Sequence, residues 1–289
     1  MFSIKKPSGY RPSSYVAHMG QVCMFIEIKT NADQGVFTDP PLDPPSDYKF
    51  TVDTWSKRED AKNRISPLNQ NAGYARIIQT LQFRTRLFSL TISGSTARLM
   101  RWDRSGVLVT QAFDYKASPQ TLINFVWRFI KSTRVLQGFD PTAKTVDSDK
   151  DRNEFREAIT SHVQVQLALG PEAPELEQEV GKHYSGTLTR LAIGGRNVWV
   201  SRPSWVSHAI VGRCTAGYWG VRCDTKEVVF AKGVWHTPFT EEETEGGVMT
   251  QLKEKRVSQI PTVVCHGGVP TKGIHYSFTR LGPNYSFHR

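Results

Sequence analysis

The stretch Val211-Gly-Arg-Cys-Thr-Ala-Gly-Tyr-Trp-Gly-Val221, continued by Lys226 to Lys232, constrains the fold more than any other part of the chain. It is rich in β-branched and aromatic residues and broken by glycines, so it reads as three consecutive antiparallel strands joined by tight connections. A run of apolar strand residues, Val228-Val-Phe-Ala231, ends in a single ammonium, Lys232.

That arrangement has a chemical reading. Gly212, Gly217 and Gly220 are read as lying in the first turn region, where a backbone without Cβ can approach a phosphate and offer its N–H groups. Lys232 would then contact the phosphates. Glu245, in the helical stretch from Thr240 to Leu252, would orient it. The glycine spacing does not match G-x-G-x-x-G, and ordinary turns with a solvated lysine remain the competing reading. Gly246 and Gly247 also lower the helix propensity of that stretch by about 1 kcal/mol each.

Upstream, Val22 to Lys29 reads as a strand with Met24, Ile26 and Ile28 on one face and Glu27 and Lys29 on the other. The proline-rich segment 39–46 reads as an exposed, stiff loop. Tyr74, Ile77, Ile78 and Leu81 have helical spacing, and Leu87 to Ile92 reads as a buried strand. Thr96 to Trp102 and Val107 to Phe113 form a hairpin across the turn formers Asp103-Arg-Ser-Gly106. Ser118-Pro119 reads as an N-cap and first helical position, followed by an apolar helix containing Leu122, Phe125, Phe129 and Ile130.

The composition turns charged and small between Thr142 and Gly181. A helix is expected over 149–169, and the acidic segment 171–179 shows no core-forming pattern. Leu188 to Ile193 and Asn197 to Val200 flank the hairpin turn Gly194-Gly195-Arg196. The expected organisation is an α/β region over 20–140, a charged linker and helix over 141–183, and a β-rich region over 184–289.

Glu27-Ile28-Lys29 directs a carboxylate and an ammonium into one crevice, as nucleases of the PD-(D/E)XK type do to hold Mg²⁺. That chemistry needs a further acid from a preceding strand, and residues 1–26 contain no Asp or Glu. A surface ion pair is the plainer reading. Asp103 and Arg104 are explained by the turn. The eight histidines form no hydrolase triad at a recognisable spacing.

Lys and Arg total 37 against 27 Asp and Glu, a formal net charge of +10, which favours anionic partners such as nucleotide or nucleic acid. Cys23, Cys214, Cys223 and Cys265 are too scattered for a disulfide framework or paired zinc ligands. With no apolar leader or spanning run, the expectation is an intracellular protein, cytoplasmic or nuclear, with no membrane partner.

Several blocks resemble the fungal-type protein kinase family of mushroom-forming fungi. They are Tyr74-Ala-Arg76 with Gln79 and Gln82-Phe-Arg-Thr85, Ala97-Arg-Leu-Met-Arg-Trp-Asp-Arg-Ser-Gly106, and Phe113-Asp-Tyr115. Val211-Gly-Arg-Cys-Thr215, Val229-Phe-Ala-Lys-Gly-Val-Trp235, Glu245-Gly-Gly-Val248 and 257–261 complete them. The resemblance implies an α+β protein. A PD-(D/E)XK-like α/β sheet would precede a kinase-like N-lobe, with Lys232 as the phosphate-contacting lysine and Glu245 as its helix partner. The family's loop usually reads Gly-Arg-(Ala)-Thr-Arg-Gly, so Cys214 and Ala216 are departures, and His236 stands where the family tends to have Arg.

Neither a His-Arg-Asp loop nor an Asp-Phe-Gly site occurs in the 289 residues. The resulting expectation is a truncated kinase-family protein that can bind ATP, with Mg²⁺ retention not expected, and that does not transfer phosphate as written. A protein partner is compatible with it. A nucleic-acid-binding or remnant nuclease-like module on the Glu27/Lys29 sheet is the alternative.

Overall fold

The structure is a computed structural model that describes residues 19–32, 35–51, 67–184, 186–207, 209–235, 244–268 and 274–280. The chain divides into two compact units, Met1–Phe139 and Asp140–Arg289. Together they are α+β.

The first unit is built on a mixed sheet. Strand β1 (Phe25–Lys29) is followed by helix α1 (Pro67–Leu81) and strand β2 (Leu87–Ser93), and β1 pairs parallel to β2. A parallel pair needs such a crossover, because a tight turn cannot return the chain in the same direction. Strands β3 (Thr96–Asp103), β4 (Gly106–Val109) and β5 (Phe113–Asp114) complete it, with β4 and β5 both pairing with β3. The expected strand 107–113 is thus two strands. Between them, Thr110 Oγ1 accepts from Leu99 N at 3.0 Å, and Ala112 N donates to Asp39 at 3.1 Å.

The two faces of this sheet are buried by different helices. Ala75 and Ile78 of α1 pack against Leu87, Met100 and Trp102, and helix α2 (Gln120–Lys131) sends Leu122 onto the cluster of Leu90, Ile92 and Ala97 on the other face. Phe88 meets Phe125 and Phe129 edge-on at 6.2 and 5.9 Å. Pro119 is the N-cap residue of α2 and no side chain caps it, so Ser118 does not play the expected role. Asp114 instead organises the preceding turn by accepting from Lys116 N and Ala117 N, both at 2.9 Å.

Arg84 staples this unit. It is almost fully buried, donates to Gln82 Oε1, Gln137 O, Val22 O and Cys23 O, and stacks on the Phe139 ring. Burial pushes its pKa down to about 10, with Arg134 also lowering it, which still leaves it charged at neutral pH.

Among the described residues, the second unit is an antiparallel seven-stranded sheet with three helices. Its elements are β6 (Ala143–Val146), α3 (Asp149–Leu167), α4 (Leu176–Gly181), β7 (Leu188–Ile193), β8 (Arg196–Val206), β9 (Ala216–Arg222), β10 (Val228–Trp235), α5 (Glu245–Glu254), β11 (Thr262–Gly268) and β12 (Ile274–Arg280). The strand order is β11-β12-β10-β9-β8-β7-β6.

The sheet curls until β11 meets the β7–β8 turn. Cys265 Sγ lies 3.7 Å from Ile193 O, and a Cβ on Gly194 would stand 3.2 Å from His266 O. The inner face of the curl buries Leu191, Ile193, Val198, Val200, Val229 and Ala231. On the outer face, Phe155, Ile159 and Val163 of α3 pack with Trp199, Trp219 and Val221.

Segment 141–183, read from composition as a linker and helix, belongs to this unit. Strand β6 pairs with β7, and α4 places Leu176 and Val180 in the core. The helix expected over 149–169 is present as α3, capped by Ser148, whose side chain accepts from Asp151 N.

Candidate functional site

Strand register decides what shares a face with Lys232. It pairs with Gly217 on β9 and Ser277 on β12; Gly217 pairs in turn with Trp205 on β8, and Ser277 with His266 on β11. Cross-strand partners point to the same side of a sheet, so Trp205, Gly217 and Lys232 share the outer face with His266 of β11. Helix α5 lies over the β11 end of this face.

Two features seat that helix. Thr244 caps it, its hydroxyl accepting from Gly247 N at 3.2 Å. Gly246 lies so close to β11 that a Cβ there would stand 2.5 Å from His266 Cβ and Cγ. The glycine that weakens helix propensity is therefore what lets the helix approach the strand. Glu245, the first helical residue, then reaches back to the sheet, and its Oε2 lies 2.5 Å from Lys232 Nζ.

Both members of the pair remain open to solvent, with side-chain exposures of 33% for Lys232 and 40% for Glu245. An ion pair this exposed contributes under about 1 kcal/mol to stability. Its significance is positional, because it holds an ammonium at an accessible spot on a rigid strand.

The three glycines do different jobs. Gly212 has φ +93° with open space around it, in the segment between β8 and β9 where Cys214 also adopts a positive φ of 39°. This segment is anchored to the sheet by Ser207 N donating to Thr215 O at 2.8 Å and Trp235 N donating to Arg213 O at 2.9 Å.

Gly217 and Gly220 are not in that turn, contrary to the sequence reading. Both lie inside β9. A Cβ on Gly217 would meet Phe230 Cζ at 2.6 Å, so the glycine lets the Phe230 ring lie against the strand. One on Gly220 would meet Val198 Cγ1 at 2.7 Å on the inner face, the side away from Lys232.

Sequence reasoning did not single out Trp205 or Phe230. Trp205 is 58% exposed and stands two strands from Lys232, roughly 10 Å away, with Gly217 and the Phe230 ring on the strand between them. Phe230 meets Trp219 edge-on at 5.4 Å, and Trp219 lies 4.5 Å from the His162 ring of α3. Burial, with His183 adding to the effect, pushes the His162 pKa down to about 4. His236 lies outside the described residues.

In the first unit, Glu27 and Lys29 point to one side of β1 as the alternation requires, with Lys29 Nζ 2.6 Å from Glu27 Oε1. Among the described residues no group of three His, Cys, Asp or Glu is placed to hold a metal ion. The four cysteines are free. No helix of the described residues is long and apolar enough to cross a membrane.

The Trp102-Asp103-Arg104-Ser105-Gly106 block is structural. Trp102 Nε1 donates to Ser89 Oγ at 2.7 Å in the core, and Asp103 Oδ1 accepts from Ser105 N at 2.9 Å to close the turn.

No curated protein and no solved structure matches the chain. The family model described as fungal protein kinase matches residues 50–281, which take in all but the first strand of the mixed sheet and the whole Lys232–Glu245 constellation. With most of its length matched, and a strand lysine joined to a helix glutamate beside a glycine-containing segment, the chain belongs to the fungal protein kinase family.

Proposed function

We propose that the second unit binds the phosphates of ATP through Lys232, held by Glu245, with the segment around Gly212 closing over them. The observation that carries this reading is the 2.5 Å contact between the strand lysine and the first residue of α5, in a chain of the fungal protein kinase family. A lysine positioned by a helix carboxylate keeps its ammonium at a fixed point, and a polyphosphate gains charge-assisted hydrogen bonds there. Gly217 contributes by letting the Phe230 ring lie against the strand between Lys232 and Trp205. Gly220 contributes through packing.

Phosphoryl transfer needs more than this. A base must take the hydroxyl proton and metal ions must neutralise charge between the phosphates. Within the 289 residues no His-Arg-Asp or Asp-Phe-Gly motif supplies those groups, so these residues on their own bind nucleotide without turning it over.

Equilibrium binding of ATP to the full chain tests the first half: Lys232→Met is expected to weaken it by at least tenfold. Equal affinity of the two proteins would refute the site. Incubation with labelled ATP and a generic protein acceptor tests the second half. Transfer above the level of the Lys232→Met control would refute the non-catalytic reading.

A further inference from the structure

The first unit contains a cavity of about 230 Å³ far in sequence from Lys232, lined among others by Glu27, Lys29, Thr91, Ser93, Thr96 and Arg98. Its position follows from topology. Glu27 and Lys29 end β1, Thr91 and Ser93 end β2, and the two strands run parallel around the α1 crossover. Open sheets with parallel strands bind ligands outside the carboxyl ends of those strands, where the crossover helix presents its N-terminal half. Asn71, in the second turn of α1, is part of the wall.

The wall is chemically unlike the apolar core beside it on the same sheet face. Lys29 Nζ lies 2.6 Å from Glu27 Oε1 and donates to Gln70 Oε1 at 3.1 Å, so two of its three N–H groups are used among the described residues. The hydroxyls of Thr91, Ser93 and Thr96 make no hydrogen bond among the described residues and can each donate inward.

Arg98 lines the same space and donates to Asp39 Oδ1 at 2.5 Å and to the carbonyls of Thr110 and Phe37 at 3.0 and 3.2 Å. Each lining cation is already paired, Lys29 with Glu27 and Arg98 with Asp39, so the four charges cancel and the wall has N–H and O–H donors left to offer a ligand. Three hydroxyl donors and a spare ammonium N–H describe a receptor for a compact oxyanion. The remaining oxygen of Glu27 can accept from a hydroxyl of the same ligand.

We propose that this cavity is a binding site for a small phosphate-bearing molecule, separate from the nucleotide site of the second unit. Lys29 and the three hydroxyls contact the phosphate, and Glu27 selects for a protonated oxygen next to it. The proposal does not depend on the nucleotide reading.

The test uses the full chain carrying Lys232→Met, which silences the other phosphate site, with isothermal titration of inorganic phosphate and glycerol 3-phosphate. Adding Lys29→Met is expected to weaken both by roughly tenfold. Adding Glu27→Gln is expected to tighten inorganic phosphate by about threefold, since it removes the opposing charge. The opposite signs of the two variants separate ligand binding from general damage to the unit. Tighter binding of the ester than of the free ion identifies an organic phosphate as the ligand, and equal binding identifies the ion itself. Heat signals absent for both probes, or insensitive to both substitutions, would overturn the proposal.

Discussion

Replacing Gly246 with alanine probes the link between helix seating and the lysine–glutamate pair. On helix propensity alone the change stabilises, by about 1 kcal/mol at an interior position. The structure predicts the opposite outcome. The new methyl would stand 2.5 Å from His266 Cβ and Cγ, the root of that side chain, which cannot swing aside without moving β11. Overpacking of this kind costs roughly 1–3 kcal/mol, enough to reverse the propensity gain.

Gly247→Ala is the internal control, since its Cβ would meet only the Thr244 hydroxyl, at 3.2 Å. Hydrogen exchange of the peptide spanning 244–254 reads the local stability directly. Gly246→Ala is expected to speed exchange there severalfold and to weaken ATP binding, because Glu245 moves with the helix. Gly247→Ala should leave exchange unchanged or slower. The same protection in Gly246→Ala as in the unmodified chain, or equal damage from the two substitutions, would refute the close-approach argument.

Other consequences follow from the same unit. His162 is held neutral in the fold with a pKa near 4, whereas an unfolded histidine titrates near 6.5. The unfolded chain therefore binds the extra proton between those values, and stability falls as pH drops through that window, by roughly 2 kcal/mol after discounting for partial solvent access. Urea unfolding of His162→Phe at pH 7 and pH 4.5 should show a smaller difference between the two pH values than the unmodified chain; an equal difference would rule His162 out. Trp205→Ala should weaken ATP roughly tenfold by removing a stacking surface for the base, while leaving inorganic triphosphate affinity unchanged. Equal losses for the two ligands would show that Trp205 acts on the fold and not on the base.

How much of this was legible in the sequence depends on whether a residue's meaning is local. The strands β2, β3, β7 and β10 announce themselves through alternation and β-branching, and the turn at Gly194-Gly195 through two residues with positive φ. Lys232 was readable as the lone cation of an apolar strand, although β10 runs on past it to Trp235, whereas Glu245 was placed inside a helical stretch over 240–252 and took its role from the family resemblance. The failures come from residues whose role is set by a distant partner. Gly217 and Gly220 looked like turn glycines, and only the arrival of Phe230 and Val198 explains them as strand residues. Leu176 and Val180 were hidden in an acidic segment, and two apolar positions four apart carry too little periodicity to reveal a core helix.

The blocks that carry the family likeness show the same division between local and distant meaning. Trp102 and Arg84 sit in blocks of the first unit, and both act as internal fasteners: one through an indole N–H to Ser89, the other through four hydrogen-bond acceptors and the Phe139 ring. A buried arginine that loses its partners leaves an uncompensated charge, so such positions tolerate little change. Glu27 and Lys29 follow a different logic. They lie on the face that Leu87, Met100 and Trp102 make apolar further along the sheet, yet they are polar together with Thr91, Ser93, Thr96 and Arg98. Lys29 and Arg98 have structural partners there, in Gln70, Asp39, Thr110 and Phe37, but the hydroxyls of Thr91, Ser93 and Thr96 make no hydrogen bond among the described residues, and folding alone is served by continuing the apolar surface. That contrast, within one face of one sheet, is the physical reason to look for a ligand in the first unit as well as in the second.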